Sequence, residues 1–465
     1  MLRDRIERVE KIKKKSRGMS AVVLIAAAAF FAFASQCSAG DAGAFWDEAT
    51  LGFRAIYYGR DRDNHDAPGN RSGEIDVDAF GYGLDFRSGY AWGVVGIDAS
   101  LALNLGDGEG NSEVLLYDSR RNDDSSSASY REAALKFRFG GAAQSFALRG
   151  GYTPIRVGTI GTSGGINPHG YRGVEAKWSV GDFEFGYGWA DRFHNDWDDR
   201  FRPMTNKWHQ NRDGYADGER IDYIHSFGAR YAFGPDKSAF VDVGFGEGRD
   251  FRKNAQVAVV YPRTLADGGA LTLTGYFIWG KYDETLAYDF TTDATDEYHF
   301  SASARYAKGP WSFQLGYGQT DAEDSKEMQF RLTPWANSDN RNFIQTWAQL
   351  DDFVWDGTRV VKIGATYDLS QKFFPRMPGL RIGASFNYGW GIESCDARGT
   401  IHATEFDLSL EYVPTEGPLK GWSAGIYPAW LRYEDDTFYG KPSRNDVKFI
   451  VAYNHTLDFR EIFKK

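Results

Sequence analysis

The sequence predicts an all-β protein: a transmembrane, antiparallel, up-and-down β-barrel of about 18 strands that follows a cleaved signal peptide. Three observations lead to this prediction. Apolar and polar residues alternate with a period of two along most of the chain, long and short connections take turns between these segments, and aromatic residues recur at the segment ends.

The first element is a targeting segment at residues 1–39. Eight basic residues precede the apolar run 21–34, which is followed by small residues at 35–39. This order is that of a secretory signal peptide. The run of fourteen apolar residues is too short for a transmembrane anchor, which needs about 20. Cleavage after Ala39 and cleavage after Ala44 fit the sequence equally well, and residues 40–465 then form a single barrel.

The strands are predicted from alternation. In residues 380–392 the apolar side chains fall on one face, and small or polar side chains fall on the other. Eighteen segments of this kind begin near residues 50, 77, 93, 129, 144, 171, 182, 220, 238, 255, 270, 300, 311, 358, 380, 406, 421 and 445. A soluble β-sandwich would alternate in the same way, so the connections must decide between the two folds.

The connections are sorted by length. Short links at 140–143, 180–182, 234–237 and 308–310 take turns with long links near 59–76, 106–128, 154–170, 191–219, 283–295 and 320–357. An outer-membrane barrel has short turns on its periplasmic side and long loops outside, whereas a sandwich has no reason for this parity. The lengths therefore favour the barrel.

Composition agrees with a barrel that hides its apolar surface by alternation. The chain has 16% aromatic residues, 53 Gly, only 2 Cys and a net charge of −10. A disulfide scaffold, a collagen-like chain and a helical membrane protein are excluded, and the charge does not suggest a nucleic-acid partner. Aromatic residues typical of membrane-interface girdles lie at Tyr57, Tyr58, Tyr152, Trp178, Trp189, Trp279, Trp390, Tyr412, Trp430 and Tyr453.

Several segments also carry a family resemblance. The opening 45–51 with 57–63, the segment 168–176, and the short motifs 378–380 and 417–421 are similar to the OprD-type outer-membrane porins. Within that family the chain looks most like the chitoporins, through segments 221–231, 331–338 and 362–369. The resemblance implies an eighteen-stranded barrel that passes small solutes, which in chitoporins are chito-oligosaccharides. One departure is that Phe459 is followed by residues 460–465 rather than ending the chain.

The wall of such a barrel is predicted from strand parity. Eleven basic residues are expected to face inward, namely Arg54, Arg87, Lys136, Arg138, Arg149, Lys177, Arg230, Arg305, Lys362, Arg381 and Lys448. Ten acidic residues accompany them, namely Asp85, Asp98, Glu175, Glu184, Asp222, Asp242, Asp368, Glu405, Asp407 and Glu411. The wall is thus nearly neutral, and of this set Arg54, Asp85, Arg87 and Asp98 are predicted to contact solute. Ion pairing within the wall is the alternative role for these residues.

The loop near 154–170 is the predicted constriction. It is rich in Gly, Thr and Ser, and it is the third long connection. In the family that the chain resembles, the third outer loop folds into the pore, which implies that Arg156 and His169 narrow it, flanked by Arg149 and Arg172. A mobile outer loop is the alternative.

Loop tryptophans are candidate sugar contacts, because a pyranose presents apolar C–H patches between its hydroxyls. Trp197, Trp208 and Trp335 lie in long loops and are predicted at the mouth. Packing of the loops onto each other would need the same residues. No metal site is predicted, because the Asp residues at 61, 63 and 66 lack calcium-loop spacing.

The predicted function is passage of small hydrophilic solutes, with short chito-oligosaccharides favoured over basic amino acids, peptides or small carboxylates. A barrel enzyme is the alternative from another class. His225 and Ser226 cannot form a catalytic pair, since neighbours in a strand point to opposite faces. No catalytic residue and no cofactor is therefore predicted. The expected location is the outer membrane of a Gram-negative cell, in contact with lipid and lipopolysaccharide, as a monomer inserted by the barrel-assembly machinery.

Overall fold

The computed structural model describes most of the chain after the predicted leader. The described residues are 43–64, 74–110, 114–118, 123–162, 169–196, 198–206, 218–234, 236–283, 296–322, 328, 330–334, 344–393, 399–435 and 443–463. Residues 1–39, and with them the predicted signal peptide, lie outside this part.

The described chain is almost entirely β-structure. Its strands are β1 Thr50–Asn64, β2 Ile75–Arg87, β3 Val95–Glu109, β4 Leu116–Asp118, β5 Asp123–Gly140, β6 Gln144–Thr153, β7 Gly170–Val180, β8 Phe183–His194, β9 Arg202–Thr205, β10 Arg220–Ile221, β11 Ile224–Phe233, β12 Ala239–Gly248, β13 Arg252–Thr264, β14 Ala270–Tyr282, β15 Asp296–Lys308, β16 Trp311–Asp321, β17 Arg359–Asp368, β18 Leu380–Glu393, β19 Thr400–Tyr412, β20 Trp422–Tyr433 and β21 Arg444–Asp458. The helices are α1 Gly43–Asp47 and α2 Phe459–Phe463, and a 3₁₀ turn covers Leu369–Gln371.

Eighteen of these strands form a closed antiparallel barrel, because β1 pairs with β2 on one side and with β21 on the other. The short strands β4, β9 and β10 belong to the loops. The closing pair runs in register from Thr50 opposite Asp458 to Asn64 opposite Arg444. Closure leaves no sheet edge, so the backbone groups of the strands are satisfied without water. The predicted all-β barrel of 18 strands is confirmed.

The outer face is apolar around the whole circumference. Each of the eighteen barrel strands carries at least one large apolar side chain that is more than a third exposed, such as Phe53 on β1, Phe245 on β12 and Leu315 on β16. Side chains next to these in sequence point into the barrel. Among the described residues no helix is long and apolar enough to span a bilayer.

The two ends of the barrel differ. At one end neighbouring strands are joined by tight turns at 141–143, 181–182 and 309–310. At the other end they are joined by long connections such as 195–223 and 322–358. The sorting is less strict than the sequence indicated. The connection 249–251 at the long-loop end is short, with Asp250 at a φ of 56°. The turns 369–379 and 413–421 at the short-turn end are longer than the other turns named there.

The first and last elements of the described chain, α1 and α2, meet at the short-turn end. Phe459 of α2 is buried between Trp46 of α1, whose ring centroid is 6.2 Å away, and Phe86 of β2, at 6.0 Å. The backbone N–H of Phe459 donates to the carbonyl of Ala49 at 3.1 Å. The two short helices therefore pack against each other where the first and last strands pair, and this contact is here called the helix clasp.

Candidate functional site

A segment of the loop after β6 lies inside the barrel, and residues 154–162 are here called the first inner segment. It rests on inward-facing glycines of the wall. A Cβ on Gly188 would lie 2.8 Å from Cγ2 of Ile155, and one on Gly228 would lie 2.6 Å from the backbone nitrogen of Gly158. Because side chains at these wall positions would occupy the same space, the glycines of β8, β11 and β12 form a bed for the segment.

Hydrogen bonds fix the first inner segment on this bed. The N–H of Thr159 donates to Oγ of Ser226 at 2.9 Å, and Nε2 of Gln256 donates to the carbonyl of Gly158 at 3.0 Å. The N–H of Arg156 donates to the carboxylate of Glu175 at 2.7 Å. The described part of the loop is thus held against the wall at several points along its length.

A second segment, residues 344–356 of the connection between β16 and β17, also lies inside, and it is called the second inner segment. Its backbone is bound by Glu405 of β19, whose two carboxylate oxygens accept from the N–H groups of Leu350 at 2.7 Å and Asp351 at 2.9 Å. The N–H of Gln345 donates to Oγ of Ser301 at 3.3 Å. The sequence analysis had placed this connection only at the mouth.

Asp351 organises the far end of the second inner segment. Its carboxylate accepts from the N–H of Phe353 at 2.6 Å, from Nε1 of Trp355 at 3.0 Å and from the hydroxyl of Tyr433. Phe353 has a φ of 54° and is fully buried, with Gly389 of β18 leaving room for its ring. The carboxylate thereby compensates a backbone conformation that is unfavourable for a bulky residue.

Beside the first inner segment lies a cavity of about 410 Å³, called the Arg149 cavity. Its lining residues are Asp85, Arg87, Ser100, Arg131, Glu132, Arg149, Pro154, Arg156, His169, Glu175 and Lys177. Charged side chains dominate this list, so the cavity is suited to polar solutes.

The charges of the Arg149 cavity are layered. Arg87 is 38% exposed and its Nη1 lies 2.6 Å from the carboxylate of Glu132, which is 2% exposed. Arg149 is 34% exposed and its Nη2 lies 3.4 Å from the carboxylate of Asp98, which is 1% exposed. The carboxylates of Glu132 and Asp98 therefore sit behind the guanidinium groups, whereas that of Asp85, which is 36% exposed, lies in front beside Arg87.

Five of the eight charged residues predicted as solute contacts line this cavity, namely Asp85, Arg87, Arg149, Arg156 and His169. Asp98 lies behind it, where it also accepts from Nζ of Lys136 at 2.7 Å. Arg54 is opposite Gly83 and points inward, but it is not among the residues that line the cavity.

Arg172 is the exception among these eight. It pairs in register with Tyr152 and shares the outer face of β7 with the exposed Val174, and its guanidinium binds Asp191. Parity counted from the inward residues Glu175 and Lys177 also puts Arg172 outside. Arg172 therefore does not flank the constriction. Asp222, predicted on the wall, is exposed in the link between β10 and β11.

Arg131 was missed by the sequence analysis because a β-bulge hides it. Ser100 is opposite Glu132 and Leu101 is opposite Tyr130, so Arg131 is the extra residue. Its guanidinium donates to the carbonyl of Asn195 at 2.9 Å. Alternation would place this buried residue on the outer face, and only the pairing shows otherwise. Glu132 has the parity of Lys136, which was the available signal for it.

The loop after β8 packs beside the Arg149 cavity. His169 lies 3.7 Å from the carboxylate of Asp196, and the buried Asp198 accepts from Nε of Arg202 at 2.9 Å and from the N–H of Asn195 at 3.1 Å. Burial of Asp198 raises the pKa of its carboxyl to about 6, against the effect of Arg202, which lowers it. His169, which lines the Arg149 cavity, thereby connects that cavity to residues 194–196 and 198–206.

A larger cavity of about 570 Å³ lies beside the second inner segment and is called the Trp347 cavity. Its lining residues are Arg305, Ser312, Phe313, Gln314, Trp347, Ala348, Gln349, Lys362, Gly364, Ala365, Thr366, Gly383, Ala384, Ser385, Asp407, Leu408, Ser409, Glu411, Tyr427, Lys448 and Ile450. An indole, amides and hydroxyls accompany the charged groups here, so this cavity offers both apolar contact and neutral hydrogen bonding.

The three predicted mouth aromatics, Trp197, Trp208 and Trp335, lie outside the described residues. Within the part that is described, no group of three or more side chains is arranged to hold a metal ion. His225 makes an edge-to-face contact with Phe227 on the outer face, while Ser226 is buried against the first inner segment. These two neighbours point in opposite directions, as the strand parity required.

Comparison with known proteins gives a consistent result. The model of a family described as outer membrane porin, OprD family, matches residues 44–457. The chain is 26% identical to chitoporin of Escherichia coli strain K12, over 89% of this chain and 92% of that protein.

Solved structures share the fold at lower identity. OpdK of Pseudomonas aeruginosa with vanillate has a TM-score of 0.72 at 16% identity, over 89% of this chain and 100% of that one. OccAB1 of Acinetobacter baumannii has a TM-score of 0.73 at 17% identity, over 88% of this chain and 96% of that one.

Proposed function

Because this chain belongs to the OprD family of outer-membrane porins, we propose that it passes short oligosaccharides of the chito-oligosaccharide class through its barrel. Porins of this kind are channels of the Gram-negative outer membrane. The proposal concerns which small solute the channel takes and where the solute binds.

The observation that carries the proposal is the chemistry of the Trp347 cavity. The indole of Trp347 offers an apolar face, and Gln314, Gln349, Ser385 and Ser409 offer neutral donors and acceptors beside it. An N-acetylated sugar presents C–H patches, hydroxyls and an amide, which match this combination. The 26% identity to a chitoporin supports the same solute class.

The test is single-channel current in a planar bilayer with short chito-oligosaccharides added to either side. We expect brief blocks whose duration grows with sugar length, and about tenfold shorter blocks in Trp347→Ala, since loss of one sugar–aromatic contact is worth roughly 1.4 kcal/mol. Trp92→Ala, in the exposed turn after β2, is the matched control. An absence of sugar blocks in the unaltered channel would overturn the proposal.

A second candidate is a channel for small carboxylates, which the Arg149 cavity favours. Arg87 and Arg149 are exposed to the lumen with Glu132 and Asp98 buried behind them, and Lys177 is 28% exposed beside Glu175, which is 12% exposed. In the same bilayer a small carboxylate would then block the current where sugars do not. Basic amino acids are less suited to this layered arrangement.

The two inner segments narrow the pore between them, so the solute passes beside residues 154–162 and 344–356.

The oligomeric state and the route of insertion are also part of the proposal. Apolar residues around the whole outer face suit a monomer that is surrounded by lipid, and sedimentation of the purified protein in detergent would test this state. Insertion uses the barrel-assembly machinery, as for other outer-membrane barrels.

A further inference from the structure

The turn between β17 and β18 differs from the tight turns at the same end of the barrel. Residues 369–379 begin with a 3₁₀ turn, and the N–H groups of Phe373 and Phe374 both donate to the carbonyl of Leu369 at 3.0 Å. The side chains of Phe373, Phe374 and Met377 are 59%, 49% and 37% exposed. A folded turn that exposes three large apolar side chains is unusual in a purely aqueous setting.

This turn folds toward the outside of the barrel. The ring of Phe373 lies 5.9 Å from that of Tyr367, which in turn lies 4.5 Å from the ring of Trp311. Trp311 is on the apolar outer face, stacked against Phe313. The apolar surface of the turn is therefore continuous with the lipid-facing surface of the strands.

Cations accompany the apolar side chains. Nζ of Lys372 lies 5.7 Å from the centre of the Phe373 ring, and Arg376 is exposed between Phe374 and Met377. The N–H of Val413 donates to the carbonyl of Gly379 at 3.1 Å, which brings the turn 413–421 alongside. That turn adds the exposed Leu419 and Lys420 together with one acid, Glu416. This surface is thus basic on a chain whose net charge is −10.

We propose that residues 372–377 dock into the phospholipid leaflet on the periplasmic side and bind anionic headgroups. Phe373, Phe374 and Met377 lie among the upper acyl chains, and Lys372 and Arg376 contact the phosphates. Aromatic side chains prefer the membrane interface, and basic residues near an anionic surface each gain about a factor of five in affinity. The short turns of an outer-membrane barrel face the periplasm, which fixes the leaflet.

The depth of the turn tests the first half of this proposal. The full chain with Cys37→Ser, Cys395→Ser and Phe374→Cys, carrying an environment-sensitive fluorophore, is reconstituted into phosphatidylcholine–phosphatidylglycerol vesicles. We expect a lipid-borne quencher to act at least three times more strongly on this label than on one at Ala142→Cys, in the exposed turn 141–143. Equal quenching at the two sites, or protection of the 374 label only when periplasmic proteins are added, would overturn the proposal.

Lipid retention tests the second half. Native mass spectrometry counts phosphatidylglycerol and phosphatidylcholine bound to the purified barrel. Lys372→Gln with Arg376→Gln is expected to lower the preference for phosphatidylglycerol about 25-fold. The control is Lys253→Gln with Lys281→Gln, two similarly exposed lysines of β13 and β14 at the long-loop end. No preference in the unaltered protein, or an equal loss in both double variants, would contradict anionic headgroup binding.

Discussion

Glu132 is buried behind Arg87, and the Glu132 carboxylate and the Arg87 guanidinium are separated by 2.6 Å. The carboxylate also accepts from Oγ1 of Thr153 at 3.1 Å and lies 3.9 Å from Arg149. One hidden acid thus fixes two exposed cations on the lumen side. Because Glu132 and Asp98 are almost fully buried while Arg87 and Arg149 are not, a solute at this cavity meets fewer acids than the near-neutral count of wall charges indicated.

Ion selectivity follows from this layering. Glu132→Gln removes the compensating charge, so the channel is expected to become more permeable to chloride relative to potassium by at least twofold, whereas Arg87→Gln shifts the ratio the other way. Reversal potentials in a potassium chloride gradient measure both changes. Asp267→Asn, in the turn 265–269 outside the lumen, is the control. Shifts of the same sign in both lumen variants would contradict the layered arrangement.

Conductance depends on the glycine bed of the first inner segment. In Gly228→Ala the new Cβ would lie 2.6 Å from the backbone nitrogen of Gly158, so the segment must move away from the wall. We expect single-channel conductance to change by at least 20% and the unfolding temperature to fall. In Gly275→Ala, on the outer face of β14, the Cβ has no neighbour within 4 Å and should alter neither. Unchanged conductance in both variants would mean that the segment does not limit the current.

Glu405 is expected to hold the second inner segment in place. Glu405→Gln keeps the shape but replaces one of the two acceptor oxygens for the Leu350 and Asp351 N–H groups by an amide NH₂ group, which can only donate. Loss of a hydrogen bond to a charged group costs about 1.5–3 kcal/mol, so exchange of these two amides should quicken at least tenfold. Hydrogen-exchange mass spectrometry of residues 344–356 measures this. If Glu411→Gln on the same strand has as large an effect, the clamp is not specific.

Strand parity explains what could be read from the sequence. The two-residue period fixes the inward side of each strand, so Asp85, Arg87 and Arg149 were placed on the cavity wall without knowledge of the loops. Parity fails at Arg131, where a bulge adds a residue. At Arg172, parity predicts the outward side chain correctly, whereas nearness to the loop after β6 had favoured a position at the constriction.

The inner segments lie beyond such local reasoning. Thr159 binds Ser226 across 67 residues of sequence, and Leu350 binds Glu405 across 55. No periodicity encodes these contacts, because they depend on which wall positions lack a side chain or carry a free acceptor. The third loop could be expected inside only by resemblance to a family, and the second inner segment was not anticipated at all.

The contribution of Asp198 to the packing of residues 194–196 and 198–206 is expected to weaken as pH rises from about 4 to 6. Burial raises the pKa of the Asp198 carboxyl from 3.8 to about 6 in the packed loop, so the packed loop keeps a proton that the open loop releases. This contribution is fully present below pH 4 and is lost by pH 6. Because the buried His194 lies in the same segment, the effect of Asp198 is measured as the difference in hydrogen exchange between the unaltered protein and Asp198→Asn across that range. A difference that does not change with pH would contradict the assignment to Asp198.

The stability of the closed barrel should depend on the helix clasp, in which α1 packs against α2. Phe459 is buried between Trp46 and Phe86, so Phe459→Ala leaves a cavity and is expected to lower the free energy of unfolding by about 3 kcal/mol. Phe139→Ala is the control, because the Phe139 ring is about half exposed on the outer face. Urea unfolding of the two variants in lipid vesicles, starting from folded protein, measures how much the helix clasp contributes to the free energy of unfolding. Any effect on insertion is thereby kept separate. A Phe459 loss no larger than that at Phe139 would show that the helices do not secure the seam.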